Sequence, residues 1–171
     1  MRKIREKVFE TNSSSVHAME LVPSEYDEID KPDYHYEECE VPFCEFGWSG
    51  SCDTWKEKLA YLVQMVWETI PYSEKQDPEA SMWCTEGNEL ANAISILEKH
   101  EDYKRIKDLV CKHINASELK WYGEGYIDHQ SYEDYDNLED WLKSNNVGTS
   151  DYDIIQFIFG KSSIEITNDN I

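Results

Sequence analysis

The feature that most constrains the fold is a long amphipathic helix predicted over residues 53–69. Its large apolar side chains recur at intervals of three and four, which places them on one side of a helix. These are Trp55, Leu59, Leu62, Val63, Val66, Trp67 and Ile70. Thr54 and Glu57 have the spacing of a capping box, and Pro71 ends the helix. Because so wide an apolar face has to be covered by other elements, we expect this helix at the centre of the core.

Shorter helices follow, and strands are expected toward both ends of the chain. Apolar spacing predicts helices over residues 89–99 and 102–115 and a short helix that begins at Asp136 or Asn137. Strands are predicted over residues 4–10, 16–22 and 119–122, and a C-terminal hairpin from residues 154–159 and 163–167. The sequence therefore predicts an α+β fold, in which an antiparallel sheet from the N- and C-terminal strands packs against three or four helices. With 171 residues, one domain spanning residues 1–171 is expected.

Residues 23–42 are predicted to form an irregular loop over the core. Pro23, Pro32 and Pro42 limit regular structure in this segment, which is rich in acidic residues and tyrosine. Loops of this length in a compact domain are commonly functional or disordered, so a simple spacer is the alternative. The segment is therefore a candidate surface for a partner.

The formal net charge of −20 restricts the kinds of partner. So negative a chain repels the phosphate backbone, which argues against direct DNA or RNA binding and favours a basic protein surface. Residues 25–45 hold nine acidic residues against Lys31 alone, and residues 124–140 hold seven with no lysine or arginine. The alternative is a solvated acidic surface that keeps the protein soluble. The partner-binding candidates are Asp27, Glu28, Asp30, Asp33, Glu37, Glu38, Glu40, Glu133, Asp134 and Asp136.

Cysteine usage and the N-terminus indicate a cytosolic protein. The five cysteines are odd in number, and the charged start of the chain lacks the apolar stretch of a signal peptide. No run of apolar residues approaches the length of a membrane span, so no membrane partner is expected.

A zinc site is not favoured by the spacing of His35, Cys39, Cys44 and Cys52. Their intervals are irregular and contain no C-x-x-C pair, which favours free thiols over zinc ligands. No metal site is predicted.

Two polar segments are candidate ligand sites. The first, Val8 to His17, contains a run of short hydroxyl and amide side chains that favours a tight turn able to present N–H groups to an anion. The second contains Asp128 and His129, which could act with His17 or Glu10 as metal ligands or as an acid and a base. A surface turn with side chains bonded to nearby backbone is the plainer alternative. The ligand-binding candidates are Glu10, Thr11, Asn12, Ser13, Ser14, Ser15, His17, Asp128, His129 and Gln130.

The run FETNSSSVH behind a basic N-terminus resembles the opening of a family of small, mostly uncharacterised proteins of bacteriophages and Gram-positive gut bacteria. Three later pieces, FGW at residues 46–48, GYIDHQS at 125–131 and NDN at 168–170, resemble the same family. The resemblance implies a phage or mobile-element origin and no particular reaction.

Two functions are consistent with these observations. In the first, the protein is an acidic phage or mobile-element protein that binds and inhibits a basic nucleic-acid-handling host protein, such as a CRISPR effector or another nuclease, as a nucleic-acid mimic. In the second, the FETNSSSVH and IDHQS segments and the terminal NDN form the site of a small metal- or nucleotide-binding hydrolase or transferase. The sequence contains no Walker loop, GxSxG elbow, HExxH, paired CxxC or dinucleotide fingerprint, so whether it is an enzyme stays open, as does any cofactor.

Overall fold

A computed structural model describes residues 17–23, 36–43, 45–46, 50–71, 73–75, 88–123, 126–127 and 137–168. Within these ranges the chain forms five helices and seven strands. The helices are α1 Trp55–Thr69, α2 Asn88–Leu97, α3 Glu101–Ile114, α4 Leu138–Ser144 and α5 Asp151–Phe159. The strands are β1 His17–Pro23, β2 Tyr36–Pro42, β3 Glu45–Phe46, β4 Gly50–Cys52, β5 Ala116–Tyr122, β6 Tyr126–Ile127 and β7 Ser162–Asn168. The predicted α+β class is confirmed.

Helix α1 begins where its sequence signals predict. The Thr54 side chain accepts a hydrogen bond from the backbone N–H of Glu57, and the Glu57 carboxylate accepts one from the backbone N–H of Thr54. Every residue from Lys58 to Trp67 is buried, which means that the helix is covered on all sides. Helices α3, α4 and α5 and strands β2 and β4 pack around it. The predicted central helix is confirmed.

The strands of the described ranges form three separate sheets. In the largest, β7 lies between β1 and β4 and is antiparallel to both. Strands β2 and β5 form a parallel pair, as do β3 and β6. The backbone N–H of Phe43 donates to the carbonyl of Tyr122 at 2.9 Å, at the point where β2 and β5 end. The parallel pairs are not predicted from the sequence, because a parallel partner lies across a long crossover, here the segment that contains α1, α2 and α3.

Part of the segment predicted as a loop is a strand. Cys39 and Val41 are buried, while Glu38 and Glu40 are exposed, and this is the alternation of a half-buried strand. Pro42 is the last residue of β2, so this proline lies at the end of the strand and not within it. The prediction of a continuous loop is therefore wrong for residues 36–42 and for Pro23, the last residue of β1. The predicted strand over residues 4–10 and the loop over residues 24–35 lie outside the described residues.

The predicted C-terminal hairpin is wrong in its first half, because residues 154–159 belong to α5. The Ser150 hydroxyl accepts a hydrogen bond from the backbone N–H of Asp153, and the Asp153 carboxylate accepts one from the N–H of Ser150. This capping box starts the helix, and Ile154 and Ile158, one helical turn apart, are both fully buried. The second half of the predicted hairpin lies in β7, whose partners are β1 and β4.

Candidate interaction surface

Strands β2 and β5 separate a buried face from an exposed one. Cys39 and Val41 on β2 and Leu119 on β5 are at most 5% exposed. The register pairs Cys39 with Leu119 and Glu38 with Glu118, and both glutamates are exposed. Since side chains alternate along a strand, Cys39, Val41 and Leu119 point into the core, and Glu38, Glu40, Glu118 and Lys120 point to solvent.

Aromatic contacts fix this strand pair to the helices. The rings of Phe43 and Trp121 stack with their centroids 4.6 Å apart. The Trp121 Nε1 donates to the hydroxyl of Tyr103 on α3 at 2.9 Å, and Tyr103 is 1% exposed. Burial raises the pKa of Tyr103, so its hydroxyl stays protonated at neutral pH. The outer face of β2 and β5 is therefore held on a rigid support.

We call the solvent side of β2 and β5 the acidic face; it consists of Glu38, Glu40, Glu118, Lys120 and Tyr122. The Lys120 ammonium forms an ion pair with the Glu38 carboxylate, and both side chains are half exposed. The hydrogen bond that the Lys120 ammonium donates to the Glu38 carboxylate raises the pKa of Lys120, and the charges of Glu118 and Glu40 act in the same direction. Three carboxylates thus face one ammonium group, and the acidic face is negative.

Two exposed residues, Glu37 and Tyr122, lie at the ends of this strand pair. Glu37, at the start of β2, is also exposed, but it lies on the opposite side of the strand from Glu38 and Glu40. Tyr122, at the end of β5, is 51% exposed, although it is a large aromatic residue. Exposed tyrosine beside charged groups is a common composition of protein interfaces, because the ring contributes contact area and the hydroxyl tolerates water.

Three of the partner-binding candidates lie within the described residues. These are Glu37, Glu38 and Glu40, which the structure brings together as exposed residues of β2. The other candidates, Asp27, Glu28, Asp30, Asp33, Glu133, Asp134 and Asp136, lie outside the described residues. The sequence does not predict the contribution of Glu118, because the predicted strand begins at residue 119. The alternation of Glu118, Leu119 and Lys120 is the signal that would have extended it.

Of the ligand-binding candidates, His17 alone lies within the described residues. It is the first residue of β1, and the register places it opposite Asn168 of β7. The end of the FETNSSSVH segment and the start of the terminal NDN are therefore neighbours. Strand β6 ends directly before Asp128 and pairs with β3. The candidates outside the described residues are Glu10, Thr11, Asn12, Ser13, Ser14, Ser15, Asp128, His129 and Gln130.

Two of the described thiols, Cys39 and Cys111, are shielded from solvent by their neighbours. Burial raises the pKa of the Cys39 thiol, and it does the same for Cys111. A thiol with a raised pKa holds its proton at neutral pH and is a poor nucleophile. In the part of the chain that the structure describes, no three histidine, cysteine, aspartate or glutamate residues are grouped as metal ligands.

Comparisons with protein-family models, with curated proteins and with solved structures find no match for this chain. Among the helices of the described ranges, none combines the length and the hydropathy needed to cross a bilayer. The functional assignment therefore depends on the residues of the chain and their arrangement.

Proposed function

We propose that this protein is an acidic interaction protein, of phage or mobile-element origin, that binds and inhibits a basic nucleic-acid-handling protein in the host cytosol. The observation that carries the proposal is the acidic face on a rigid strand pair in a chain of formal net charge −20. A basic cleft built for a phosphate backbone attracts such a surface, and the attraction speeds encounter as well as selecting the partner. The resemblance of the FETNSSSVH segment to phage proteins supports the assignment to host defence enzymes, including CRISPR effectors.

The test is a charge reversal that leaves the Glu38–Lys120 ion pair intact. In the variant E37K/E40K/E118K, three exposed carboxylates become ammonium groups. Tagged wild-type protein and variant are used to capture proteins from a Gram-positive bacterial lysate, and the bound proteins are identified by mass spectrometry. We expect the wild type to capture basic nucleases or helicases. Added duplex DNA should displace these proteins, and the captured amount should fall as the salt concentration rises. We expect the variant to lose them, and the captured enzyme to be inhibited by the wild type alone.

A matched control separates the position of the charges from their number. The variant E101K/D108K/E165K reverses three carboxylates that are exposed elsewhere, on α3 and β7. It should retain the same partner as the wild type. If E37K/E40K/E118K also retains it, or if DNA does not displace it, the acidic face is not the binding surface and the proposal is wrong.

The register of β1 and β7 favours a second candidate function. It places His17 opposite Asn168, so two of the three polar segments that resemble the phage family begin or end on neighbouring strands. A site for a metal ion or nucleotide at this end of the sheet would make the protein a small hydrolase or transferase. Asp128 and His129 would be its further ligands or its acid and base.

Calorimetric titration with Mg²⁺, Mn²⁺, Zn²⁺ and ATP tests this second candidate. The wild type should bind at least one of them, and H17A and N168A should each weaken that binding by about tenfold or more. The variant E165A, on β7 and away from this end of the sheet, should bind as the wild type does. Equal binding by H17A and the wild type, or no binding by the wild type, would rule out the site.

A further inference from the structure

Two large aromatic side chains of the described residues are exposed to solvent, Tyr122 at 51% and Tyr152 at 70%. Tyr152 lies on α5, and the carboxylate of its neighbour Asp151 is already bound by Arg105 at 2.7 Å. Tyr122 lies at the end of β5, on the acidic face. It is therefore the exposed ring that a partner of this face would meet.

The backbone holds Tyr122 in a defined position. Its carbonyl accepts a hydrogen bond from the backbone N–H of Phe43 at 2.9 Å, and the ring of Phe43 stacks on that of Trp121. The following residue, Gly123, has a φ of +82°, a left-handed conformation that residues with a Cβ atom rarely adopt. Because the residues on both sides are fixed, little backbone freedom is lost when a partner binds Tyr122, and this favours binding.

The Glu40 carboxylate lies near this ring, on the neighbouring strand. The register pairs Pro42 with Tyr122, and Glu40 comes two residues earlier on β2. Glu40 and Tyr122 are thus separated by about 7 Å along the strands and about 5 Å across the pair. The Lys120 ammonium is bound by Glu38, and among the described residues no lysine or arginine forms an ion pair with Glu40. One long side chain of a partner can therefore reach both the carboxylate and the ring.

We propose that Glu40 and Tyr122 together bind an arginine side chain of the basic partner. This inference rests on the proposed function and names the group that the acidic face recognises. A guanidinium group is planar, so it can donate two parallel N–H bonds to a carboxylate and can also stack on an aromatic ring. A lysine ammonium is a compact, strongly hydrated charge that pairs with the carboxylate but gains less from the ring. The partner therefore contacts this end of the acidic face through arginine.

The test compares two short peptides of equal formal charge, hexa-arginine and hexalysine, both capped at their ends. Each peptide is titrated into the full chain at about 100 mM NaCl, and binding is followed by NMR of the backbone amides. We expect the wild type to bind hexa-arginine at least about fivefold more tightly than hexalysine. The amides of Glu40 and Tyr122 should shift more with hexa-arginine than with hexalysine.

Variants of Tyr122 separate stacking from charge, because they leave the net charge unchanged. Y122A should bind the two peptides within about twofold of each other, because the ring is absent. Y122F should keep the wild-type preference, because stacking does not need the hydroxyl group. Y152A removes the exposed ring of α5 and is the matched control, so it should also keep the preference.

A variant of Glu40 tests the carboxylate. E40Q should weaken hexa-arginine binding by about threefold or more, because the guanidinium group loses a charged acceptor. D108N removes one exposed carboxylate from α3 and is the matched control. It should weaken hexa-arginine binding by less than about twofold.

The inference is overturned if the wild type binds both peptides equally, if Y122A keeps the wild-type preference, or if E40Q binds hexa-arginine as D108N does. Its failure can be told apart from failure of the proposed function. Loss of captured proteins in E37K/E40K/E118K, with the preference unchanged in Y122A, would leave the proposed function standing and overturn arginine recognition by Tyr122. A preference that depends on Tyr122, with no nuclease or helicase captured, would leave arginine recognition standing and overturn the proposed function.

Discussion

At the scale of single residues, Lys58 joins two elements through a buried charge. Its side chain is 1% exposed, and its ammonium donates to the carbonyls of Gly160 at 2.7 Å and Ser162 at 2.8 Å. Gly160 is the C-cap residue of α5, so one of these bonds is made at a helix end, where carbonyl groups lack partners within the helix. Burial lowers the pKa of Lys58 to about 8, although the nearby Cys52 and Asp53 act in the opposite direction.

The substitution K58M should destabilise the protein by about 2–4 kcal/mol at pH 7, because it leaves two carbonyls without a donor. The difference in stability between the wild type and K58M should grow at higher pH. The folded-state pKa of Lys58 is about 8 and the ordinary value is 10.5, so between these values the unfolded chain binds more protons. The wild type therefore gains stability through Lys58 as pH rises across this window, by about 2 kcal/mol, and K58M does not.

Urea denaturation at several pH values between 7 and 10 measures the difference between the two proteins. Titratable groups that do not interact with Lys58 contribute equally in both proteins, so their contributions cancel in the difference. The variant K56M removes a partly buried lysine from the same helix and should cost less than about 1 kcal/mol at pH 7. A gap between wild type and K58M that stays constant with pH would show that Lys58 is not desolvated.

At the scale of elements, helix signals are local and therefore readable from the sequence. The capping box and the stop at Pro71 locate α1, and Asn137 caps α4 by accepting a hydrogen bond from the backbone N–H of Asp140. The same kind of signal, Ser150 with Asp153, precedes α5, but the apolar run after it also fits a buried strand. Periodicity alone does not separate these two structures in a short run. The capping box decides between them.

The substitution S150A tests whether this capping box sets the stability of α5. Loss of the side-chain acceptor leaves the backbone N–H of Asp153 without its hydrogen bond and should lower the free energy of unfolding by about 1 kcal/mol. The variant S150D keeps a capping acceptor at this position and should therefore retain most of the wild-type stability. In S95A the same change is made at an exposed position inside α2, where alanine is the better helix former and no loss is expected. Equal effects of S150A and S95A in thermal denaturation would contradict this role of Ser150.

The candidate sites are less readable than the helices, because they depend on distant parts of the chain. Glu37, Glu38 and Glu40 were predicted from charge alone, but their neighbour Glu118 reaches them through the parallel pairing of β2 with β5. A shallow groove lined by Ile70, Glu74, Ile96, Lys99 and His100 joins the end of α1 to the turn before α3, and no local pattern indicates that these two turns meet. Sequence patterns thus predict which residues carry charge, while the tertiary fold decides which of them share a surface.

At the scale of the whole molecule, like charges repel one another. The chain has 36 acidic residues against 16 lysine and arginine residues, and the described ion pairs, such as Lys107–Glu98 and Arg105–Asp151, lie largely at the surface. Surface pairs contribute little to stability, whereas a large net charge destabilises the compact state through self-repulsion. Because self-repulsion is the larger of the two effects, added salt should stabilise the folded state.

The free energy of unfolding should rise by about 1 kcal/mol or more when NaCl is raised from about 20 mM to about 500 mM, because the Debye length falls from about 20 Å to about 4 Å. Urea denaturation at the two salt concentrations measures this change. In E37K/E40K/E118K each reversal adds two positive charges, so the formal net charge rises from −20 to −14 and the gain from salt should shrink. The control E101K/D108K/E165K reaches the same net charge and should show a similar reduction.

Self-repulsion depends on how many charges the molecule carries, while partner binding depends on where they lie. The two triple variants should therefore agree in their salt-dependent stability and differ in partner capture, and a wild type that loses stability in salt would show that its ion pairs outweigh its net charge.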